Sequence, residues 1–468
     1  MGASAKPEIS PAASRTGRRV PLFSLSRHWP HHTEKQALEA FYADRKLMWR
    51  NVLLISIVNF GWWEVVEVVA RLARKKLLDL GVMENVQGTI AAANGWAVMF
   101  LVMLFSWMSD HTISRLGRRK PYLFIAAPFI VGTIVLFPFL AAAKLVWLLL
   151  AMQAVYLLFM DLQQSTFSLI TIDCVPRDLL GRTNSLFRIV GGLAGFLGSW
   201  YVGRLIGLGE WVPYVLGGAV LLATTLAAWP IKEPPVYYPR TEPFKPWSTF
   251  KVAAVDKRIF VLMAAVALIG TYNNANVLWQ FFWCTEKLKL SLGDIFKVLA
   301  WVPLVNMLLA YPIGWVIDRY GGLKVVVAFY LLSSACFFFQ LHVHGKSALL
   351  WLVVAQAIVN PLYSAADIMV YKSCPEKDIG SITSTNACFR NGFSGLFGAV
   401  SGWAIYSAGH NYLVAFVLGQ IISTLGMGLF FLHAWLMRTG PPPPSQTAVD
   451  NDAALETGGT GMVGQAPE

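Results

Sequence analysis

The stretch Ser109-Asp110-His111-Thr112-Ile113-Ser114-Arg115-Leu116-Gly117-Arg118-Arg119, followed later by Asn184-Ser185-Leu186-Phe187-Arg188, decides the fold because its grammar returns further along the chain. The second copy reads Gly314-Trp315-Val316-Ile317-Asp318-Arg319-Tyr320-Gly321-Gly322-Leu323-Lys324, then Asn386-Ala387-Cys388-Phe389-Arg390. Asp318 stands about two hundred positions after Asp110, and Arg390 comes after Arg188 at a similar interval. Duplication on this scale in an apolar chain predicts two pseudo-symmetric helical halves in one membrane unit.

Composition points the same way. Of the 468 residues 56% are hydrophobic and 14% charged, against roughly 25% charged in a soluble domain. Runs of about 20 apolar residues, each enough for a helix to cross a ~30 Å hydrocarbon core, recur along the chain. About twelve are expected, at 49–70, 88–108, 121–143, 146–170, 184–207, 212–231, 259–283, 295–316, 325–343, 348–371, 385–408 and 412–436. Backbone groups in lipid must be satisfied within their own segment, so the expected class is all-α. The chain then divides into a polar segment 1–45, a six-helix half 46–231, a Pro-rich linker 232–257, a second half 258–438 and a polar tail 439–468. The two ends are expected to be disordered.

The net charge of +12 does not predict nucleic-acid binding, because the basic residues gather in alternate connections. Arg115, Arg118, Arg119 and Lys120 come after the second run, Arg177 and Arg182 after the fourth, and Lys245, Lys251, Lys257 and Arg258 after the sixth. That bias places both termini in the cytoplasm of a multi-pass protein of the plasma (inner) membrane. Arg71, Arg74, Lys75 and Lys76 fall on the opposite side as an exception. The five cysteines have neither metal nor disulfide spacing. No metal or organic cofactor is expected, no phosphate-cradling loop for ATP is present, and no nucleophile triad marks an enzyme.

The loop from Ser109 to Pro121 resembles the signature of the major facilitator superfamily. Its variant is similar to two sugar-carrying branches: the glycoside-pentoside-hexuronide cation symporters, typified by melibiose permease, and the sucrose/proton symporters. Phe60-Gly61-Trp62 resembles the sucrose branch; Met160-Asp161, Phe167-Ser168-Leu169, Thr171-Ile172-Asp173 and Arg188 resemble the melibiose branch. The resemblance implies gradient-driven movement of a sugar or glycoside by a monomer that has only lipid and solute as partners. In the melibiose branch two acids on the second helix help hold sodium, and Val102 and Val98 stand at those positions here. Proton coupling is therefore expected over sodium.

Four groups of residues are candidates for the work. Asp110, Arg115, Arg118 and Arg119, with their mirror Asp318, Arg319 and Lys324, stand where helices meet water and could pair and unpair as the halves rock; solvated charge that merely sets topology is the alternative. Glu64 and Glu67 lie i, i+3 in the first run with Arg71 one turn on. An ionised carboxylate facing lipid is costly, so Glu64 is the candidate proton carrier, and Glu67 is either its neighbour in that role or a rim partner of Arg71. Asp161, with Gln163, Gln164, Ser165, Thr166 and Ser168, offers the acceptors and donors a polyhydroxylated ligand needs, unless they bond neighbouring helices. The resemblance adds Arg188 as the sugar partner of Asp161, with Arg390 its mate in the second half. Asn273 and Asn274, in the run Tyr272 to Asn276, predict a broken or cavity-lining helix. A facilitator or exporter of another small solute, or a receptor that binds without transport, remains compatible with these residues.

Overall fold

A computed structural model describes residues 24–25, 41–176, 179–234, 257–342, 345, 347, 365–367, 369–370 and 379–439. The first half contains α1 (Arg45–Glu64), a π-helical turn (Val65–Val69), α2 (Ala70–Asp79), α3 (Glu84–Asp110), α4 (Lys120–Ala142), α5 (Val146–Cys174), α6 (Leu180–Leu208) and α7 (Val212–Leu226). The second contains α8 (Lys257–Ile269), α9 (Thr271–Phe282), a second π turn (Trp283–Lys287), α10 (Leu292–Leu299), α11 (Trp301–Tyr320), α12 (Gly322–His342), α13 (Ile379–Ser407) and α14 (Leu413–Thr439). Eight helical stretches among the described residues are long and apolar enough to cross a membrane. The expected tenth span, 348–371, falls largely outside the described residues, as do most of 1–45, the linker from 235 to 256 and the tail from 440.

Asp44 caps α1, its carboxylate accepting from the N–H groups of Lys46 and Leu47. From there the helical path runs to Asp79, further than the apolar run 49–70 predicts, and the chain turns at Gly81 (φ +86°). The surplus length carries the basic exception. Lys75 pairs with Asp79 and, at 3.1 Å, with Glu286; Lys76 pairs with Glu210 at 2.6 Å. Those two lysines are thus paired with acids, so their charges are compensated locally.

Ser24–Leu25 forms a two-residue antiparallel bridge to Thr112–Ile113 in the signature loop. Large apolar side chains cover the outside: Trp147 is 86% exposed, and Leu331 and Phe338 are each 62% exposed. Such a surface suits lipid. Among the described residues three buried clusters sit inside, one around Tyr122, Ile130, Leu149 and Tyr272, one around Leu262, Val266, Val326 and Phe430, and a smaller one around Ile55, Leu123 and Phe187.

We call the face where α1 begins and α14 ends the terminal face. The halves meet toward the opposite, far face. Along α3 and α13 the backbones nearly touch: a methyl on Gly95 would lie 2.5 Å from the Asn391 carbonyl and 2.9 Å from Gly395 Cα. A methyl on Gly203 of α6 would stand 3.1 Å from Gly293 Cα of α10. Small residues permit this approach, and dispersion between the helices holds it.

Candidate functional site

The signature loop forms a buried charge network on the terminal face, built within the first half. The N-terminus of α4 leaves its first N–H groups without helical partners, and Arg119, its cap residue, offers no side-chain cap. Glu233, after α7, fills the gap: its carboxylate accepts from the N–H of Arg118 (2.8 Å), Arg119 (3.2 Å) and Lys120 (3.0 Å). An anion at a helix N-terminus is favoured by both the free donors and the dipole. Lys120 Nζ donates to the Ile231 carbonyl at 2.7 Å, and Asn51 on α1 donates to the Lys232 carbonyl at 2.8 Å. These bonds bind the start of the linker to the bundle.

Gly117 shows why the signature needs glycine there. Its φ is +113°, and a Cβ would stand 2.6 Å from the Glu233 carboxyl carbon. Both backbone and space exclude a side chain. Gly117→Ala is therefore expected to displace Glu233 and lower the denaturation midpoint, measurable by thermal unfolding in detergent. Gly321, a glycine of the second copy, has φ +84°, but open space surrounds it, so Gly321→Ala should cost less.

Arg118 Nη2 reaches Asp173 Oδ2 at 2.6 Å and Arg119 Nε reaches the same oxygen at 3.1 Å. Arg119 also donates to Ser109 at the end of α3. Both guanidinium groups are buried. Sequence spacing points to Asp110 as an acid for them; among the described side chains Asp173, at the end of α5, is a second acid that the sequence does not single out for this role. The side chains of Asp110 and Asp318 lie outside the described residues, while Arg115, Arg319 and Lys324 are exposed. Arg319 stacks over Trp315 and Tyr320 at 5.1 and 5.7 Å.

The candidate solute-binding residues differ between halves. In the second, Arg390 Nη1 lies 2.9 Å from Asp367 Oδ2, and Asn386 donates to Asp367 at 3.4 Å. In the first, Asp161 has its Oδ2 buried with no hydrogen-bond partner among the described residues. Gln164 and Arg188 are exposed on α5 and α6. Asn273 and Asn274 are half-buried on α9, just past Gly270, where α8 ends and a new helix begins. Gly270 itself keeps helical angles (φ −72°, ψ −11°), so the path is irregular at one residue rather than unwound. Asn276 turns inward, donating to the Tyr272 carbonyl at 3.1 Å, and Tyr272 donates to Gln340 at 2.8 Å. No hydrogen bond joins Asp161, Gln164, Asn273 and Asn274 to one another among the described residues. A small cleft lined by Val69, Thr133, Phe137, Gln153, Tyr156 and Tyr214 is mainly apolar and contains none of these candidates.

Glu64 is the last residue of α1 and Glu67 lies inside the π turn; their side chains lie outside the described residues. The π turn changes the reading of their i, i+3 spacing. Its wider winding shifts the phase that a 3.6-residue period assigns to everything beyond Glu64.

Two comparisons bear on this architecture. The sequence model described as Major Facilitator Superfamily matches residues 68–304. The chain belongs to the Major Facilitator Superfamily. It is accordingly a transporter rather than an enzyme, and an integral multi-pass membrane protein. A crystal structure of a mutant form of the nucleoside transporter NupG superposes with a TM-score of 0.66 at 14% identity, covering 83% of this chain and 99% of that one. A bacterial homologue of the human lysosomal transporter Spinster, inward-facing and unoccupied, superposes at 0.60 with 15% identity, covering 88% and 100%. No curated protein matches the chain in sequence. At these identities the structural likeness speaks for the fold.

Proposed function

We infer that this facilitator is a secondary transporter that carries a sugar or glycoside by alternating access, coupled to protons, as a monomer. It sits in the plasma (inner) membrane with the terminal face toward the cytoplasm. The observation that carries the reading is the contrast between Asp367, paired with Arg390, and Asp161, whose buried Oδ2 has no partner among the described residues. A buried acceptor without a donor is costly. Hydroxyl groups of a bound solute would supply donors, with Gln164, Arg188, Asn273, Asn274 and Arg390 as further contacts. Glu64 and Glu67, at the π turn, are the proposed proton carriers. Val98 and Val102 on α3 supply no acid for a sodium site.

A thermal-shift screen of the purified protein against mono- and disaccharides, with nucleosides as a second arm, identifies the solute. Uptake of the best ligand into proteoliposomes then tests movement. It is expected to collapse with a protonophore and to ignore replacement of sodium by choline. Glu64→Gln should abolish accumulation against a gradient but retain counterflow. Sodium-dependent uptake that survives the protonophore overturns the coupling, and binding without flux overturns transport of that solute.

A further inference from the structure

A second polar constellation lies at the far face, remote from the signature loops, and spans the two halves. Glu84, in the first turn of α3, is 1% exposed. Its Oε1 accepts from the Tyr412 hydroxyl at 2.5 Å, and its Oε2 lies 2.9 Å from His410 Nδ1. His410 and Tyr412 belong to the connection between α13 and α14, so both bonds join the first half to the second. The turn that aims them is specific: Gly409 and His410 both have positive φ, +65° and +62°. Tyr412 is buried and stacks on Phe282 at 6.3 Å. Burial, and then the Glu84 carboxylate, push its phenol well above the ordinary range, so the O–H remains a donor. Below Glu84 the same two helices meet at the Gly95–Gly395 approach. Beside it, Lys75 of α2 crosses to Glu286 at 3.1 Å, a second tie between halves.

A charge buried at the join of two moving bodies is an expensive way to make a static contact, because hydrophobic residues of similar volume would serve as well. Hydrogen bonds that form only when two faces meet give instead a contact with two defined states, made and broken. We propose that Glu84, Tyr412 and His410 form the latch of the far-face gate, with Lys75–Glu286 as its half-buried companion, and that the latch must open for the solute path to reach that face. The proposal rests on the alternating access inferred above. It assigns no solute contact to these residues; they position the halves.

Double electron–electron resonance on unliganded protein tests it. The five native cysteines are replaced by alanine, and spin labels are placed on the far face at Leu208 and Ser407, one in each half. A second sample carries labels on the terminal face at Lys46 and Lys257. Tyr412→Phe removes one hydroxyl and keeps the packing, and Glu84→Gln removes the charge and keeps the volume. Each is expected to raise the ratio of far-open to far-closed population about tenfold or more, as for loss of one hydrogen bond to a charged group. The terminal-face pair should move closer in the same variants. Far-face distances unchanged in both variants overturn the latch. Far-face lengthening with terminal-face distances fixed keeps the latch and overturns the rocking motion on which it rests.

Discussion

Asp161→Asn is expected to leave a chain that folds and reaches the membrane, yet binds its solute about 2–3 kcal/mol more weakly, roughly 30- to 150-fold. Its buried Oδ2 has no protein donor among the described residues to lose, so the substitution breaks no internal bond at that oxygen. Arg188→Gln should lose a similar amount if it grips the same solute. The double variant separates the rival explanations. Were the two residues a structural ion pair, neutralising both would restore stability and much of the activity, because no buried charge would be left alone. As ligand arms, they should leave the double variant no better than either single one. Calorimetric affinities for the three variants, with the ligand found in the thermal-shift screen, give the answer.

Asp173→Asn should have the opposite character: a large loss of stability, with solute affinity affected only through it. Two buried guanidinium groups share one oxygen of Asp173. Removing its charge takes from both Arg118 and Arg119 an acid they share, and breaking one side of a buried pair costs about 3–5 kcal/mol. Unfolding in detergent should register the drop. Restoring the acid as Asp173→Glu should recover part of it, because the charge returns on a side chain one methylene too long. Stability equal to the parent in Asp173→Asn would show that the network draws its compensation elsewhere.

Most of the fold is legible in the sequence because lipid imposes a simple rule: an apolar run long enough to cross must be a helix. The repeat of Asp110 in Asp318, and of Arg188 in Arg390, carries the division into halves. The site is less legible, for identifiable reasons. Glu233 caps α4 from beyond three intervening helices, and it reads as part of a polar linker because no local spacing connects it to Gly117. Two helices, α4 and α5, separate Arg118 and Arg119 from Asp173 along the chain, so only folding shows that they meet. Glu84 looks like an ordinary first-turn carboxylate, since its partners His410 and Tyr412 lie at the other end of the chain. The three asparagines in a short span predict a broken or cavity-lining helix, and the irregularity the path shows is confined to Gly270, which keeps helical angles. The π turn leaves no trace in hydropathy, which is insensitive to a single extra residue within an apolar run.

That π turn has a twin. Val65–Val69 lies in the first helical path of one half and Trp283–Lys287 in the first path of the other, each toward the far-face end. A single π turn behaves as one residue inserted into an α-helix, rotating the downstream residues by roughly 100° relative to the upstream ones. The first turn is followed by ten more helical residues, Ala70–Asp79, which carry that rotation; the second is the last turn of its path, closed at Leu288. Lys75 on the rotated segment meets Glu286, inside the second turn, at 3.1 Å. Deleting a single residue from Val65–Val69 is therefore expected to swing Lys75 away from Glu286 while leaving α1 in register at the terminal face.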